Sequence, residues 1–248
     1  GHLKSTGFAE LLAWQCGIAP PDLEAVDFRD KLADRPASRY GFAASARDGR
    51  TVSRPMDALA GGDWGQGLFK YEACDYCDDV LAETADVAVG DAWLPGYVAD
   101  SRGTNVVVAR HPEILALLEA DVRRGAIHLE QISADDVARS QRAGLAHRRE
   151  GLAWRLAQRR AEGRWAPPRR VAASTALPPI RQRIYDVRAA LAAESHDAFA
   201  EARAAGRLDL FFTRMQPLFR RYAALYRPSF RQRVVRRLRA LLGRRSGR

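Results

Sequence analysis

The stretch 71–110, YEACDYCDDVLAETADVAVGDAWLPGYVADSRGTNVVVAR, decides how the rest of the chain is read. Cys74 and Cys77 stand three positions apart, which puts two soft ligands on one tight turn. The acidic pair Asp78 and Asp79 follows, then an apolar run over 85–89 that stops at Gly90-Asp91. A glycine-bearing loop leads through Gly103-Thr104-Asn105 into a second apolar run over 106–109. Short apolar runs bounded by turn residues read as strands. Strand ends that carry small and acidic residues suit a cofactor site, because glycine lets backbone amides approach a ligand closely. Thiolates at this spacing hold a metal or an iron–sulfur cluster.

Upstream, residues 6–15 predict a helix, with Phe8, Leu11, Leu12 and Gln15 at helical spacing, Ser5 or Thr6 as cap and Gly17 as stop. Pro20-Pro21-Asp22 starts a turn. Residues 24–31 alternate, Val26 and Phe28 to one side and Asp27, Arg29 and Lys31 tending to the other, the pattern of a strand. A second strand is expected over 40–44, followed by a hairpin turn at Asp48-Gly49. The glycine-rich segment 57–67 reads as a covering loop.

Downstream, Pro112 suits the first turn of a helix over about 113–124, with Ile114, Leu117, Leu118 and Val122 inward. Residues 127–132 alternate as a short strand. Ser133 and Asp136 form a capping pattern before a long polar helix to about residue 162. Four prolines between 164 and 179 mark a linker, and the rest predicts helices over 180–193, 198–205, 208–226 and 230–242. The expected fold class is α/β, a mixed sheet with flanking helices, followed by an α-helical C-terminal extension. The expected division is 1–163, a linker 164–179, and a basic helical extension 180–248.

At 248 residues the chain can bury a full core. It is 47% hydrophobic and 28% charged, and no apolar run is long enough to span a bilayer. The start has no pattern of a signal peptide. Gly1 to Ser5 read as the interior of a domain, so the chain is expected to be a fragment or processed product lacking its first strands. The net charge of +10 is uneven. Residues 207–248 hold 13 arginines against one acid, so the remainder is nearly neutral. Three cysteines are too few for a disulfide scaffold, and Cys74 with Cys77 points to a reduced, cytoplasmic setting.

On residue types alone, several readings stay open. Cys74 and Cys77 suit half of a zinc site, two idle thiols, or part of a cluster, but no second Cys-x-x-Cys or His-x-x-x-His completes a tetrahedral set. Acids at 75, 78 and 79 argue against a thioredoxin-type dithiol, since they disfavour the thiolate. Cys16, on an apolar helix face, reads as a small buried hydrophobe. Asp79, Gly90, Asp91, Gly103, Thr104 and Asn105 have an alternative reading as turn formers. Arg29 and Lys31 are either strand-surface charges or contacts to a phosphate, where a charge-assisted bond is strong. No Gly-x-Gly-x-x-Gly follows a strand, so a Rossmann dinucleotide site is not supported. The basic tail carries an apolar stripe at Phe230, Val234, Leu238, Leu241 and Leu242. That stripe favours an amphipathic helix on a partner or an anionic membrane surface, or a solvated helix end, over nucleic acid.

The ordered set Cys-x-x-Cys-x-Asp, Ala-Asp-Val-x-x-Gly-Asp and Gly-Thr-Asn-x-x-x-x-Arg resembles the beta subunit of coenzyme F420 hydrogenase/dehydrogenase, an iron–sulfur flavoprotein family. The resemblance extends over about residues 1–132 and includes Gly1-His2-Leu3-Lys4-Ser5 and Val26-Asp27-Phe28-Arg29-Asp30-Lys31. It implies that Cys74 and Cys77 ligate a 4Fe–4S cluster whose remaining ligands lie outside this chain, one directly before Gly1. It further implies that Asp79, Gly90, Asp91, Gly103, Thr104 and Asn105 line FAD, while Arg29 and Lys31 face its pyrophosphate or an acidic deazaflavin tail.

The expected function is therefore an oxidoreductase passing electrons between a coenzyme F420-like hydride carrier and the cluster through FAD, with a redox partner subunit or protein. The cofactors carry that chemistry, so no catalytic acid or base is named. The expected location is cytoplasmic, peripheral to a membrane if the tail docks there. A reading of another class is a non-enzymatic module in which Cys74 and Cys77 hold a zinc shared with another chain and the basic tail docks a partner.

Overall fold

The computed structural model describes residues 3–226. Helix α1, Thr6–Gln15, sets the core: Phe8, Leu11 and Leu12 are fully buried. The chain leaves it through Gly17, whose φ of +86° no side-chain-bearing residue adopts easily. A 3-10 turn at Pro20–Asp22 delivers β1, Leu23–Asp30, which pairs antiparallel with β2, Gly41–Ala46, in the register Val26↔Ala44. The hairpin expected at Asp48-Gly49 is present. Gly49 has φ +85°, the Asp48 carboxylate accepts from the Arg50 amide at 3.0 Å, and the chain returns as β3, Thr51–Pro55.

A second sheet holds only β4, Val87–Asp91, and β5, Asn105–Ala109, antiparallel and joined through the short α2, Pro95–Val98. The α/β class and the helical extension are as expected. In detail, both sheets are antiparallel, and only β2 and β3 are joined by a tight turn.

Helix α3, Pro112–Arg123, follows β5 with the expected Pro at its first position, but its expected inward face is not buried. Leu117 is 66% exposed and Val122 39%, because a two-stranded sheet is too small to cover the helix. Residues 127–132 form no strand, pairing with none among the described residues, and Leu129 is exposed. The Ser133–Asp136 capping box is present, but the long helix after it breaks into α4, Ala134–Ser140, α5, Arg142–Arg148, and α6, Glu150–Ala161. The breaks fall at Gln141, whose side chain donates to the Asp91 carbonyl at 2.8 Å, and at Arg149, after which Arg155 turns inward.

Two helices expected over 180–193 and 198–205 are one, α7, Pro179–Ala205. The weakly helical Glu-Ser-His-Asp segment in its middle stays helical because Ser195 is fully buried. Its hydroxyl donates back to the Ala192 carbonyl at 2.9 Å and accepts from the Phe69 amide at 2.7 Å. Gly206, at φ +64°, closes α7 with Arg207 N–H donating to the Ala202 carbonyl, and α8, Leu208–Tyr226, packs back on α7. One apolar cluster joins α1, β2, Leu68 and Phe69 to Val187, Leu191 and Phe199 of α7 and Phe211 and Met215 of α8. Phe69 stacks on Phe211 at 6.0 Å and meets Phe199 edge-on at 5.5 Å. The helix expected over 230–242, with its apolar stripe and most of the basic tail, lies outside the described residues.

Candidate functional site

The cysteine turn is built against the start of the chain. Lys4 bridges Lys70, Ser5 N–H donates to the Phe69 carbonyl, and Tyr71 N–H donates to the Leu3 carbonyl. The chain then tightens into a 3-10 turn, Glu72–Tyr76, with Cys74 N–H donating to the Tyr71 carbonyl at 3.0 Å. Cys74 and Cys77 are both half-buried thiols. The Leu3 amide approaches the Cys74 sulfur at 3.2 Å, and the Cys77 sulfur lies 3.7 Å from the Asp79 carbonyl. Cys16 is buried at the end of α1 and takes no part; burial pushes its thiol pKa up.

Between the two cysteines sits a feature that sequence reasoning missed. Asp75 is buried and pairs with the equally buried Lys70. His147 Nε2 lies 3.2 Å and Arg155 Nε 3.6 Å from the same carboxylate. Arg155 also donates to the Asp75 carbonyl and to the His147 carbonyl, each at 2.9 Å. Burial alone would raise the Asp75 pKa, but His147, Lys70 and Arg155 outweigh it and hold the carboxyl below its ordinary range. Burial pulls His147 down to about 4, with Arg155 and Lys70 adding to the effect, so its imidazole is neutral at pH 7. Lys4, over the Phe8 ring at 4.0 Å, is lowered to about 7 by burial and then by Lys70. Nothing in the sequence pairs Asp75 with residues 72 and 80 positions away; only the break between α5 and α6 brings them in.

The other expected cofactor residues gather at one end of the β4–β5 ladder. Asp91 faces Asn105 and Gly90 faces Val106, and the Ala92 amide donates to the Thr104 carbonyl at 2.9 Å. Arg29 reaches across from β1 to Asp91 at 2.7 Å, and its guanidinium lies 4.2 Å from the Tyr40 ring centre and 5.1 Å from that of Trp93. Gly103 has φ +78°, and a Cβ there would stand 3.3 Å from Lys31 Nζ. Arg29, Lys31, Gly90, Asp91, Gly103, Thr104 and Asn105 thus come together from two separate stretches of sequence.

Asp79 does not join them. Its carboxylate accepts from the Leu81 and Glu83 amides at 2.9 and 3.1 Å. The loop it shapes is held by Arg110, which donates to the Leu81, Ala82 and Ala85 carbonyls at the opposite end of the ladder. The aromatic rings of Tyr40 and Trp93 were also missed; only the folded register sets them beside Arg29.

The residues present can be set against the cofactors. Two thiols on one turn would supply two of the ligands a cluster needs, and among the described residues no third Cys, His, Asp or Glu joins them to complete a metal site. The Lys31 ammonium beside a side-chain-free Gly103, and the Arg29 guanidinium held at Asp91, suit phosphate and a closely approaching ring. Clefts of about 510 and 440 Å³ lie along α1, the first lined by Ser5, Phe69, His196 and Arg203, the second by Pro20, Val26 and Arg47. None of the expected cofactor residues lines either cleft. Among the described residues no helix is long and apolar enough to cross a membrane.

Comparison with known proteins gives one positive result: a family described as the C terminus of the beta subunit of coenzyme F420 hydrogenase/dehydrogenase matches residues 1–135. No curated protein and no solved structure matches the chain. The match spans more than half of the sequence and contains both the cysteine turn and the β4–β5 ladder, so the chain belongs to this family of oxidoreductase beta subunits.

Proposed function

We propose that the chain is the electron-transferring part of a beta subunit that relays electrons between a coenzyme F420-like hydride carrier and a 4Fe–4S cluster by way of FAD, in contact with a redox partner subunit. The observation that carries this reading is the convergence at one ladder end of Arg29, Lys31, Gly103, Thr104 and Asn105, on a chain whose matched segment also holds the Cys74–Cys77 turn. FAD, when bound, supplies the exchange between a two-electron hydride and single electrons.

The chain's own residues do the positioning. Lys31 meets phosphate charge, Gly103 and Gly90 leave room for backbone to approach the ring, and Thr104 and Asn105 offer hydrogen bonds to ring or ribityl oxygens. Arg29 is engaged by Asp91, so binding an anion there exchanges a carboxylate partner for a phosphate one. Cys74 and Cys77 would ligate the cluster, with the remaining ligands supplied from outside this chain.

The test is the visible absorption spectrum and metal content of protein purified anaerobically at full length, with the segment or chain that supplies the remaining ligands, together with Cys74→Ser and Cys77→Ser. Flavin bands with a broad iron–sulfur shoulder are expected in wild type, and loss of the shoulder with the fold retained in each variant. Full iron and acid-labile sulfide in either variant refutes the ligand assignment. A colourless protein carrying zinc would support instead a non-enzymatic module, which the two-thiol, incomplete set also suits.

A further inference from the structure

We propose that the segment after the family-matched residues, from α6 through residue 174, is a guanidinium clamp that holds the cysteine turn in its ligand-presenting shape and neutralises the acids around it. This rests on reading Cys74 and Cys77 as a ligand pair. The turn and its flanks carry Glu72, Asp75, Asp78 and Glu83, a concentration of negative charge that by itself opposes a pair of thiolates or any anionic metal–thiolate group. Each of these acids meets an arginine from the later segment.

Arg155 of α6 holds the Asp75 carbonyl at 2.9 Å and faces its carboxylate. Arg159, one turn on, pairs with Glu72, donates to the Tyr76 hydroxyl at 2.8 Å and lies 4.8 Å from that ring's centre. Arg169 donates to the Tyr76 carbonyl. Arg170 spans Asp78, at 3.2 Å, and Glu83, which it grips with two nitrogens at 2.7 and 3.1 Å.

The strap carrying Arg169 and Arg170 is itself tied down. The Ser174 amide donates to the Ala153 carbonyl at 3.0 Å, and Arg159 donates to the Trp165 carbonyl at 3.1 Å. α6 and the strap therefore act on the turn as one piece. The planar, two-pronged geometry of arginine suits this work: it fixes direction as well as charge, where a lysine supplies charge alone. Every one of these contacts comes from beyond residue 135, so the family-matched segment receives this part of its restraint from outside itself.

The test uses the full chain and two exposed positions, Arg169→Gln combined with Arg170→Gln, which leave the buried Asp75 cluster untouched. Two quantities are read. The first is amide hydrogen exchange over residues 72–79. The second is affinity for phenylarsine oxide, a neutral arsenical that condenses with two neighbouring thiols, forming two As–S bonds and releasing one water. Loss of the surface charge-assisted contacts to the Tyr76 carbonyl, Asp78 and Glu83 predicts exchange about tenfold faster over 72–79 and arsenical binding about tenfold weaker, with α1 and α7 unchanged. Arg170→Lys recovers only part of both effects.

Either quantity within about twofold of wild type overturns the clamp, as does faster exchange spread equally through α1 and α7. Absence of iron from the wild-type protein purified with the source of the remaining ligands would overturn the cluster reading while leaving these two measurements to decide the clamp.

Discussion

Replacing Asp75 by Asn removes the one negative charge that Lys70 and Arg155 share in the interior. Charges 3.6 Å apart, the Asp75–Arg155 separation, attract by about 4–5 kcal/mol at an effective dielectric near 20. In the native state part of that attraction is offset by desolvation, but deleting one partner leaves the others buried without it, which costs about 3–5 kcal/mol. Burial already lowers the Lys70 pKa, so Lys70 can shed its proton when its partner goes, whereas Arg155 keeps its charge. The loss should therefore fall at the lower end, about 3 kcal/mol, or a fall in Tm of about 6–12 °C for a chain of this size.

The assay is urea denaturation at pH 7 followed by circular dichroism, on Asp75→Asn, Lys70→Met and the double variant. Because the two groups touch, the double should lose at least about 1 kcal/mol less than the sum of the singles. A single Asp75→Asn loss under about 0.5 kcal/mol, or a strictly additive cycle, would refute the buried pair as a source of stability.

His147 gives a pH dependence of definite sign. Its folded pKa of about 4 lies below the ordinary 6.5, so between these values the unfolded chain takes up a proton that the folded chain refuses. The fold should lose up to about 3 kcal/mol as pH falls through that window, before Asp75 begins to protonate, and His147→Gln should flatten the slope; identical slopes in the two proteins would rule this out. Gly103→Val forces a branched side chain onto φ +78° and against Lys31, at a strain of about 1–3 kcal/mol, so FAD affinity measured by flavin fluorescence should fall at least about tenfold. Asn105→Leu should weaken FAD less, and unchanged affinity in both variants would move the flavin site elsewhere.

Local pattern carried much of the fold into view. α1, the Asp48-Gly49 hairpin, the Ser133 cap and α8 are legible because each is set by spacing or turn chemistry within a dozen residues. The failures are places where distant contacts override the local signal. Residues 127–132 alternate like a strand but pair with none among the described residues, and α7 runs through Glu194 to Asp197 because Ser195 finds the Phe69 amide 126 positions away. The helix after Ser133 breaks because Gln141 and Arg155 serve residues of the earlier segment. The candidate site divides in the same way. Residue types and order singled out Cys74, Cys77, Arg29, Gly103 and Asn105, whereas the Lys70–Asp75–Arg155 cluster and the rings flanking Arg29 depend on long-range register that no single stretch encodes.

Phe69 holds a left-handed backbone, φ +57°, at a position where a bulky residue is costly. Its amide is satisfied by Ser195 and its ring is enclosed by Phe199 and Phe211, all three from the C-terminal helices. The next residue is Lys70, and the cysteine turn begins two residues after that. The family-matched segment is therefore not a transferable part. Grafted onto another chain without a counterpart to α7 and α8, it would have to find a new hydrogen-bond acceptor and a new aromatic enclosure at Phe69 before Cys74 and Cys77 could regain their places. A single upstream peptide unit thus ties the geometry of the matched segment to Ser195, Phe199 and Phe211.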